Sequence, residues 1–185
     1  MTFLNNSKCM TRRTFLLSTL QTVIGASIIS PFDALSKTLP INTISFYHTH
    51  TGEEFDLCVK SHTCPPAARK KLFSFLRDFR TGDVHPIDLR LIDILLKVKK
   101  ETGSRGVCEV ISGYRSPRTN EYLRAKGSGV AKKSLHLKGQ AIDVRFSDVP
   151  TKELRDAAIS LRAGGVGYYA KSNFVHLDTG RIRFW

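Results

Sequence analysis

The chain has 185 residues, of which 41% are hydrophobic, and this length allows one compact domain but not two once an N-terminal segment is set aside. The formal net charge of +13 predicts either an anionic partner or a basic, well-solvated surface. Nucleic acid is the usual partner for such a charge, but an N-terminal export segment argues against it and favours cell-wall material or an anionic membrane surface.

Residues 1–36 have the three-part pattern of a signal peptide: a basic start, an apolar run, and small residues that end at Ser36. Arg12 and Arg13 stand before the apolar run and indicate the twin-arginine export route. The alternative is an uncleaved membrane anchor, which the polar residues within the run disfavour. We therefore predict a periplasmic protein with one domain at 37–185, in contact with a membrane only if the segment is retained.

The sequence pattern after residue 36 predicts helices and strands in mixed order. Two short strands at 41–47 and 54–59 are followed by amphipathic helices at 68–79 and 88–101 and a strand at 107–112. Ser116 and Pro117 begin a helix that ends near Lys126. A strand at 140–146, a helix at 150–162 and short strands at 166–169, 173–178 and 181–185 complete the series. This order predicts an α+β fold with a small, mostly antiparallel sheet.

Three cysteines follow residue 36, namely Cys58, Cys64 and Cys108. An odd number in an oxidising compartment allows at most one internal disulfide and leaves one thiol over. Cys58 and Cys64 could bridge a hairpin. For Cys64 we favour half of a disulfide over a nucleophile, because the stretch SHTC lacks the glycine of the S-x-G-C element of L,D-transpeptidases.

The stretch NFVHLD predicts a strand that places His176 and Asp178 on one face, while its two aliphatic residues face the core. If this strand pairs in antiparallel fashion with 140–146, the β-carbons of Asp143 and His176 lie within about 5 Å of each other. One of Tyr168 and Tyr169 is expected to reach the same site while the other packs.

His136 precedes the same strand, and Gly139 permits the turn that would bring this histidine to the site. Two imidazoles, one carboxylate and an open position form the ligand set of a catalytic zinc site. The spacing alone matches many sequences by chance, so a hydrogen-bonded structural histidine stays as the alternative.

Longer motifs carry a family resemblance. The stretch from Ser134 to Asp143 matches the S-x-H-x-x-G-x-A-x-D signature of the D-alanyl-D-alanine peptidase group of zinc metallopeptidases, and His176-x-Asp178 resembles its second metal motif. In order, HTGEE, SGYRS, GVAKKSLHLKGQAID, LRAGGVGYY and NFVHLDTG resemble the murein endopeptidase K branch of this group. The resemblance covers essentially all of the chain after the signal segment and implies the fold shared with hedgehog-type proteins.

The resemblance implies Zn²⁺ bound by His136, Asp143 and His176. It also implies that Arg115, in SGYRS, lies near the metal and binds a substrate carboxylate or the developing oxyanion. The implied activity is hydrolysis of peptide cross-links in peptidoglycan, at D-alanyl to meso-diaminopimelyl or diaminopimelyl to diaminopimelyl bonds. The alternatives are a D-alanine carboxypeptidase and a non-catalytic, zinc-stabilised module that binds peptidoglycan.

The general base is a point of departure from the family. Carboxypeptidase relatives place a glutamate three residues before the last histidine ligand, where this chain has Asn173. Asp178 shares a face with His176 and is the expected catalytic base, although it could instead orient an imidazole. In relatives with an H-x-H motif the later residue binds zinc, so Asp178 as ligand with His176 as base is a further assignment.

Overall fold

The computed structural model describes residues 43–59, 64–127 and 129–185. The signal segment predicted at 1–36, with its twin arginines, lies outside these residues, as do Ser61, His62 and Thr63. In the part of the chain that is described, no helix is both long and apolar enough to cross a membrane.

Seven strands and four α-helices occur in the described residues. The strands are β1 (Thr43–His48), β2 (Glu54–Cys58), β3 (Cys108–Ser112), β4 (Ala141–Phe146), β5 (Gly165–Tyr169), β6 (Phe174–Asp178) and β7 (Arg183–Phe184). The helices are α1 (Pro66–Phe75), α2 (Arg90–Glu101), α3 (Pro117–Ala125) and α4 (Thr151–Ser160). Two short 3₁₀ turns, Leu135–Lys138 and Ala170–Ser172, were not indicated by the sequence pattern.

The strands form one sheet in the order β2-β1-β3-β4-β6-β5-β7. The pairs β1–β3 and β5–β7 are parallel, and the other four neighbouring pairs are antiparallel. Since helices and strands mix along the chain, the α+β class predicted from sequence is confirmed. Each predicted helix and strand is present, with ends that differ by a few residues.

Helix α1 is shorter than predicted, because its amphipathic pattern continues to residue 79 but the helix ends at Phe75. The carbonyl of Leu76 accepts a hydrogen bond from the Tyr114 N–H at 2.8 Å. A β-carbon at Gly113 would lie 2.6 Å from the same carbonyl oxygen, so only glycine lets the two segments approach this closely. A tertiary contact therefore ends α1, and it also fixes the segment that leads to Arg115.

The hydrophobic core lies on one face of β4. Ile142, Val144 and Phe146 belong to the hydrophobic cluster that also contains Leu154 of α4. Because side chains alternate along a strand, Asp143 points to the opposite face. This division gives the central strands one apolar face, on which α4 packs, and one face that carries polar groups.

We predict that Gly139→Ala destabilises the fold more than Gly103→Ala does. Both glycines have positive φ, +62° and +64°, so each substitution costs about 1–2 kcal/mol of backbone strain. A β-carbon at Gly103 meets nothing within 4 Å, whereas one at Gly139 would overlap the Pro86 carbonyl oxygen. Urea denaturation should therefore give a further loss of about 1–3 kcal/mol for Gly139→Ala. Equal losses for the two variants would contradict the close approach at Gly139.

Candidate metal centre

The register of two central strands builds the site. In the antiparallel pair β4–β6, Asp143 lies directly opposite His176, as the sequence predicted. Neighbouring pairs in that register join Val144 to Val175 and Ile142 to Leu177, all of them buried in the core. The packing of the apolar face thus fixes which residues meet on the polar face.

His136 enters from the 3₁₀ turn before β4. The Ser134 hydroxyl caps this turn by accepting the His136 N–H at 3.4 Å, and Gly139 ends it in the left-handed conformation. The first serine and the glycine of the S-x-H-x-x-G motif are therefore the two ends of one turn. That turn holds the histidine beside the strand that carries Asp143.

The three side chains converge on one point. His176 Nδ1 lies 2.8 Å from Asp143 Oδ1, and His136 Nε2 lies 3.2 Å from Asp143 Oδ2. The two imidazole nitrogens are 3.2 Å apart. The ligand atoms of all three residues lie within 4.8 Å of one another, and in the described residues this is the group of three or more with the geometry to hold a metal ion.

In each imidazole, the nitrogen that faces away from Asp143 lies beside a hydrogen-bond acceptor. His136 Nδ1 lies 2.7 Å from the Gly113 carbonyl oxygen, and a carbonyl can only accept, so this nitrogen carries the proton and leaves Nε2 with a lone pair. His176 Nε2 lies 3.1 Å from Asp178 Oδ2, an arrangement that favours a proton on Nε2. Both rings thus turn the other nitrogen toward Asp143, which is how imidazoles are oriented around a metal.

The electrostatics of the cluster favour a cation at its centre. Burial lowers the pKa of His176, but hydrogen bonds to Asp143 and Asp178 outweigh burial and raise it to about 9. Burial acts to raise the pKa of Asp143, yet the two histidines hold it far below its usual range. The cluster therefore favours positive charge at the point where the three side chains meet.

Asp178 lies behind His176 and away from Asp143. Its carboxylate receives two hydrogen bonds from Arg183, at 2.6 and 3.1 Å, and one each from the Gly165 N–H and the Gly180 N–H. The side chain has no exposed surface. Burial favours its neutral form, but the bonds to His176 and Arg183 hold the pKa of Asp178 well below its usual range.

Arg115 is brought to the cluster by the segment after β3. Its backbone N–H donates to the His136 carbonyl at 3.2 Å, and its Nη2 lies 3.6 Å from Asp143 Oδ2. The side chain is buried, and its Nε has no hydrogen-bond partner among the residues that the structure describes. A buried guanidinium with an unused donor next to the three ligand candidates suits a negatively charged or polarised group of a substrate.

A cleft of about 360 Å³ opens over the cluster. Besides the ligand candidates and Arg115, its walls contain Lys133 and Arg183 and the aromatic residues Tyr169, Phe174 and Trp185. Asp143 is the one carboxylate among these lining residues. Tyr169 is the member of the tyrosine pair that reaches the cleft. Tyr168 packs below Arg155 instead, with its ring centroid 4.7 Å from the guanidinium carbon.

Asn173 lies outside this cleft. Its side-chain oxygen accepts a hydrogen bond from the Thr151 hydroxyl at 3.0 Å, and the residue lines a second cleft with Glu109 and Arg145. Its backbone is left-handed, with φ of +51°. The position that holds the base in carboxypeptidase relatives thus joins α4 to the turn before β6 in this chain.

The disulfide expected for Cys64 is not formed. In the described residues no disulfide joins Cys58, Cys64 and Cys108. Cys58 accepts a bond from the Thr43 hydroxyl across β1–β2, with a sulfur distance of 3.7 Å, and Cys108 is buried in the core. Cys64 Sγ instead lies 3.9 Å from the Pro65 carbonyl oxygen, because the chain turns into α1 at this point.

Sequence reasoning missed three parts of the site. Trp185 enters the cleft because β7 pairs with β5 in parallel, and no local pattern signals that pairing. Gly113 supplies the carbonyl that orients His136, and its only signal was its place in the SGYRS stretch. Arg183 as the partner of Asp178 was missed for the same reason as Trp185.

Comparison with known proteins identifies the family of the chain. Residues 36–185 match the family model described as peptidoglycan L,D-endopeptidase MepK. The chain is 42% identical over 164 residues to the peptidoglycan L,D-endopeptidase MepK of Escherichia coli K12, covering 88% of this chain and 90% of the relative. It is 43% identical over 168 residues to the probable peptidoglycan L,D-endopeptidase MepK of Haemophilus influenzae, covering 88% and 89%. The chain therefore belongs to the peptidoglycan L,D-endopeptidase MepK family of peptidases.

Proposed function

We propose that this protein is a zinc-dependent murein endopeptidase that hydrolyses peptide cross-links in peptidoglycan. The observation that carries this proposal is the convergence of His136, Asp143 and His176 at the floor of an open cleft. The names of the curated relatives, which are peptidoglycan L,D-endopeptidases, support the same substrate. The scissile bonds are D-alanyl to meso-diaminopimelyl or diaminopimelyl to diaminopimelyl bonds.

The donor set supports Zn²⁺ as the ion. His136 Nε2, Asp143 and His176 Nδ1 supply two nitrogens and one oxygen, and the cleft leaves room for a further ligand, as in catalytic zinc sites. When bound, zinc supplies an acidified water and polarises the peptide carbonyl. The chain itself holds the three donor atoms in place. Its hydrogen bonds also keep the imidazole protons on the ring nitrogens that face away from Asp143.

Two more residues have proposed roles. Arg115 binds the carbonyl oxygen or a carboxylate of the substrate, and its burial beside Asp143 supports this role. For Asp178 we propose positioning of His176 rather than the role of catalytic base. Its contact is with the nitrogen that faces away from Asp143, and its lack of exposed surface keeps water of the cleft away from the carboxylate.

We also propose that residues 1–36 form a twin-arginine signal peptide and that 37–185 form one peptidase domain of the hedgehog and D-alanyl-D-alanine peptidase fold. The family model begins at residue 36, which is consistent with this division. Action on peptidoglycan places the protein in the periplasm. The high positive charge of the chain would favour association with anionic wall polymer.

Metal binding should release protons. His176 must lose the proton on Nδ1 before this nitrogen can bind zinc, and its pKa of about 9 means that the proton is present at pH 7. We expect release of about one proton per zinc at pH 7, measured by titration calorimetry in two buffers that differ in ionisation enthalpy. Apparent affinity should weaken about tenfold per pH unit as the pH falls below 9. Binding without proton release at pH 7 would contradict the proposed use of His176 Nδ1.

Asp178→Asn tests the two roles of this carboxylate. If Asp178 positions His176, the substitution should weaken zinc affinity about 10–100-fold, since the acceptor loses its charge. Asp148→Asn is the matched control, because Asp148, like Asp178, accepts two backbone N–H groups, but its side-chain partner is the Ser104 hydroxyl and it lines the second cleft. Zinc affinity equal to that of the unmodified protein, together with lost hydrolysis, would instead assign Asp178 as the base.

Digestion of purified, cross-linked peptidoglycan tests the function itself. We expect the zinc-loaded protein lacking residues 1–36 to convert dimeric muropeptides to monomers, with product masses that identify the bond cut. His136→Ala and a chelated sample should give no new product. Zinc binding without any product would support the non-catalytic module, and release of D-alanine alone would support the carboxypeptidase.

A further inference from the structure

The indole of Trp185 is fixed over strand β5. The backbone N–H of Trp185 donates to the Val166 carbonyl at 3.2 Å, and the backbone oxygen of Trp185 accepts the Tyr168 N–H at 2.9 Å. Gly167 lies between these two partners, and a β-carbon there would lie 2.6 Å from the indole. Glycine therefore leaves the space that the ring fills, next to His176, whose ring centroid is 5.3 Å away.

The indole in turn holds the hydroxyl of Tyr169. Trp185 Nε1 donates a hydrogen bond to Tyr169 Oη at 3.0 Å. The Tyr169 ring stacks on Phe174, with centroids 4.6 Å apart and an angle of 17° between the planes. Because the oxygen accepts from the indole, its own proton stays available for a further acceptor. Tyr169 is 39% exposed, so that proton can reach a group that enters from solvent.

The available acceptor is a molecule in the cleft. Tyr169, Trp185 and Phe174 line the same cleft as His136, Asp143 and Arg115. The described residues give Tyr169 no hydrogen-bond acceptor among the contacts of its side chain.

We propose that Tyr169 is a catalytic residue whose hydroxyl donates a hydrogen bond to the carbonyl oxygen of the scissile peptide bond, and that Trp185 positions this hydroxyl. The inference rests on the proposed endopeptidase function and adds a donor that neither the motifs nor the family match assigns. The carbonyl oxygen gains negative charge in the transition state, so a donor fixed beforehand stabilises that state more than the bound substrate. Arg115 supplies a cationic donor to the same cleft, and Tyr169 supplies a neutral one.

Tyr169→Phe isolates the hydroxyl, because phenylalanine keeps the ring that stacks on Phe174. We expect kcat on a cross-linked muropeptide dimer to fall about 100-fold or more, with KM changed by less than about threefold. Zinc content should equal that of the unmodified protein. Tyr168→Phe is the matched control, since Tyr168 packs below Arg155 and its variant should keep the full kcat.

Trp185 is tested as a positioning residue by a double-mutant cycle. Trp185→Phe alone should lower kcat about tenfold, and it should cause no further loss in the Tyr169→Phe background. Trp185 is the single tryptophan of the chain, so its fluorescence reports this contact directly. Loss of the hydroxyl acceptor in Tyr169→Phe should shift the emission maximum, whereas Tyr168→Phe should leave it unchanged.

The possible results separate this inference from the function on which it rests. If the unmodified protein cleaves no cross-link, the proposed function and the inference both fail. If it cleaves and Tyr169→Phe keeps more than about a third of kcat, or loses only substrate affinity, the inference alone is overturned. Additive losses for Trp185 and Tyr169, or an unchanged emission maximum in Tyr169→Phe, would remove the positioning role of Trp185.

Discussion

The register of β4 against β6 is the constraint on which the site depends. Asp143 and His176 face each other because Val144 meets Val175 in the core, one residue further along the same ladder. A shift by one residue would move the polar pair into the core and the apolar pair into the cleft. The fold would then lose the stabilisation that comes from burying several aliphatic side chains. Hydrophobic packing on one face therefore sets the positions of the candidate metal ligands on the other.

A cluster of buried charges needs compensation, and the fold supplies it in layers. Asp143 and Asp178 lie on either side of the His176 ring, and Arg183 closes the outer end with two hydrogen bonds. Backbone N–H groups of Gly165 and Gly180 complete the shell around Asp178. Because buried charges are tolerated only when they are paired and hydrogen-bonded, this shell fixes one orientation of the imidazole before any metal arrives. The protein thus assembles the donors through folding.

Much of this could be predicted from the sequence, because strand alternation and turn residues act locally. The period of two in NFVHLD placed His176 on the polar face, and Gly139 marked the turn that presents His136. What could not be predicted depends on segments distant in the chain. The early end of α1 follows from the Tyr114 contact to Leu76, and the place of Trp185 follows from the parallel pairing of β7 with β5. Neither pairing has a local signal, since loop lengths and tertiary hydrogen bonds decide both.

The most direct test of this preorganisation is ¹⁵N NMR of the histidine ring nitrogens in the zinc-loaded protein. The geometry predicts that His136 keeps its proton on Nδ1, bonded to the Gly113 carbonyl, and binds zinc through Nε2. His176 should keep its proton on Nε2, bonded to Asp178, and bind zinc through Nδ1. The opposite pattern at either ring, or shifts that zinc leaves unchanged, would contradict the claim that the fold presets these two imidazoles as metal ligands.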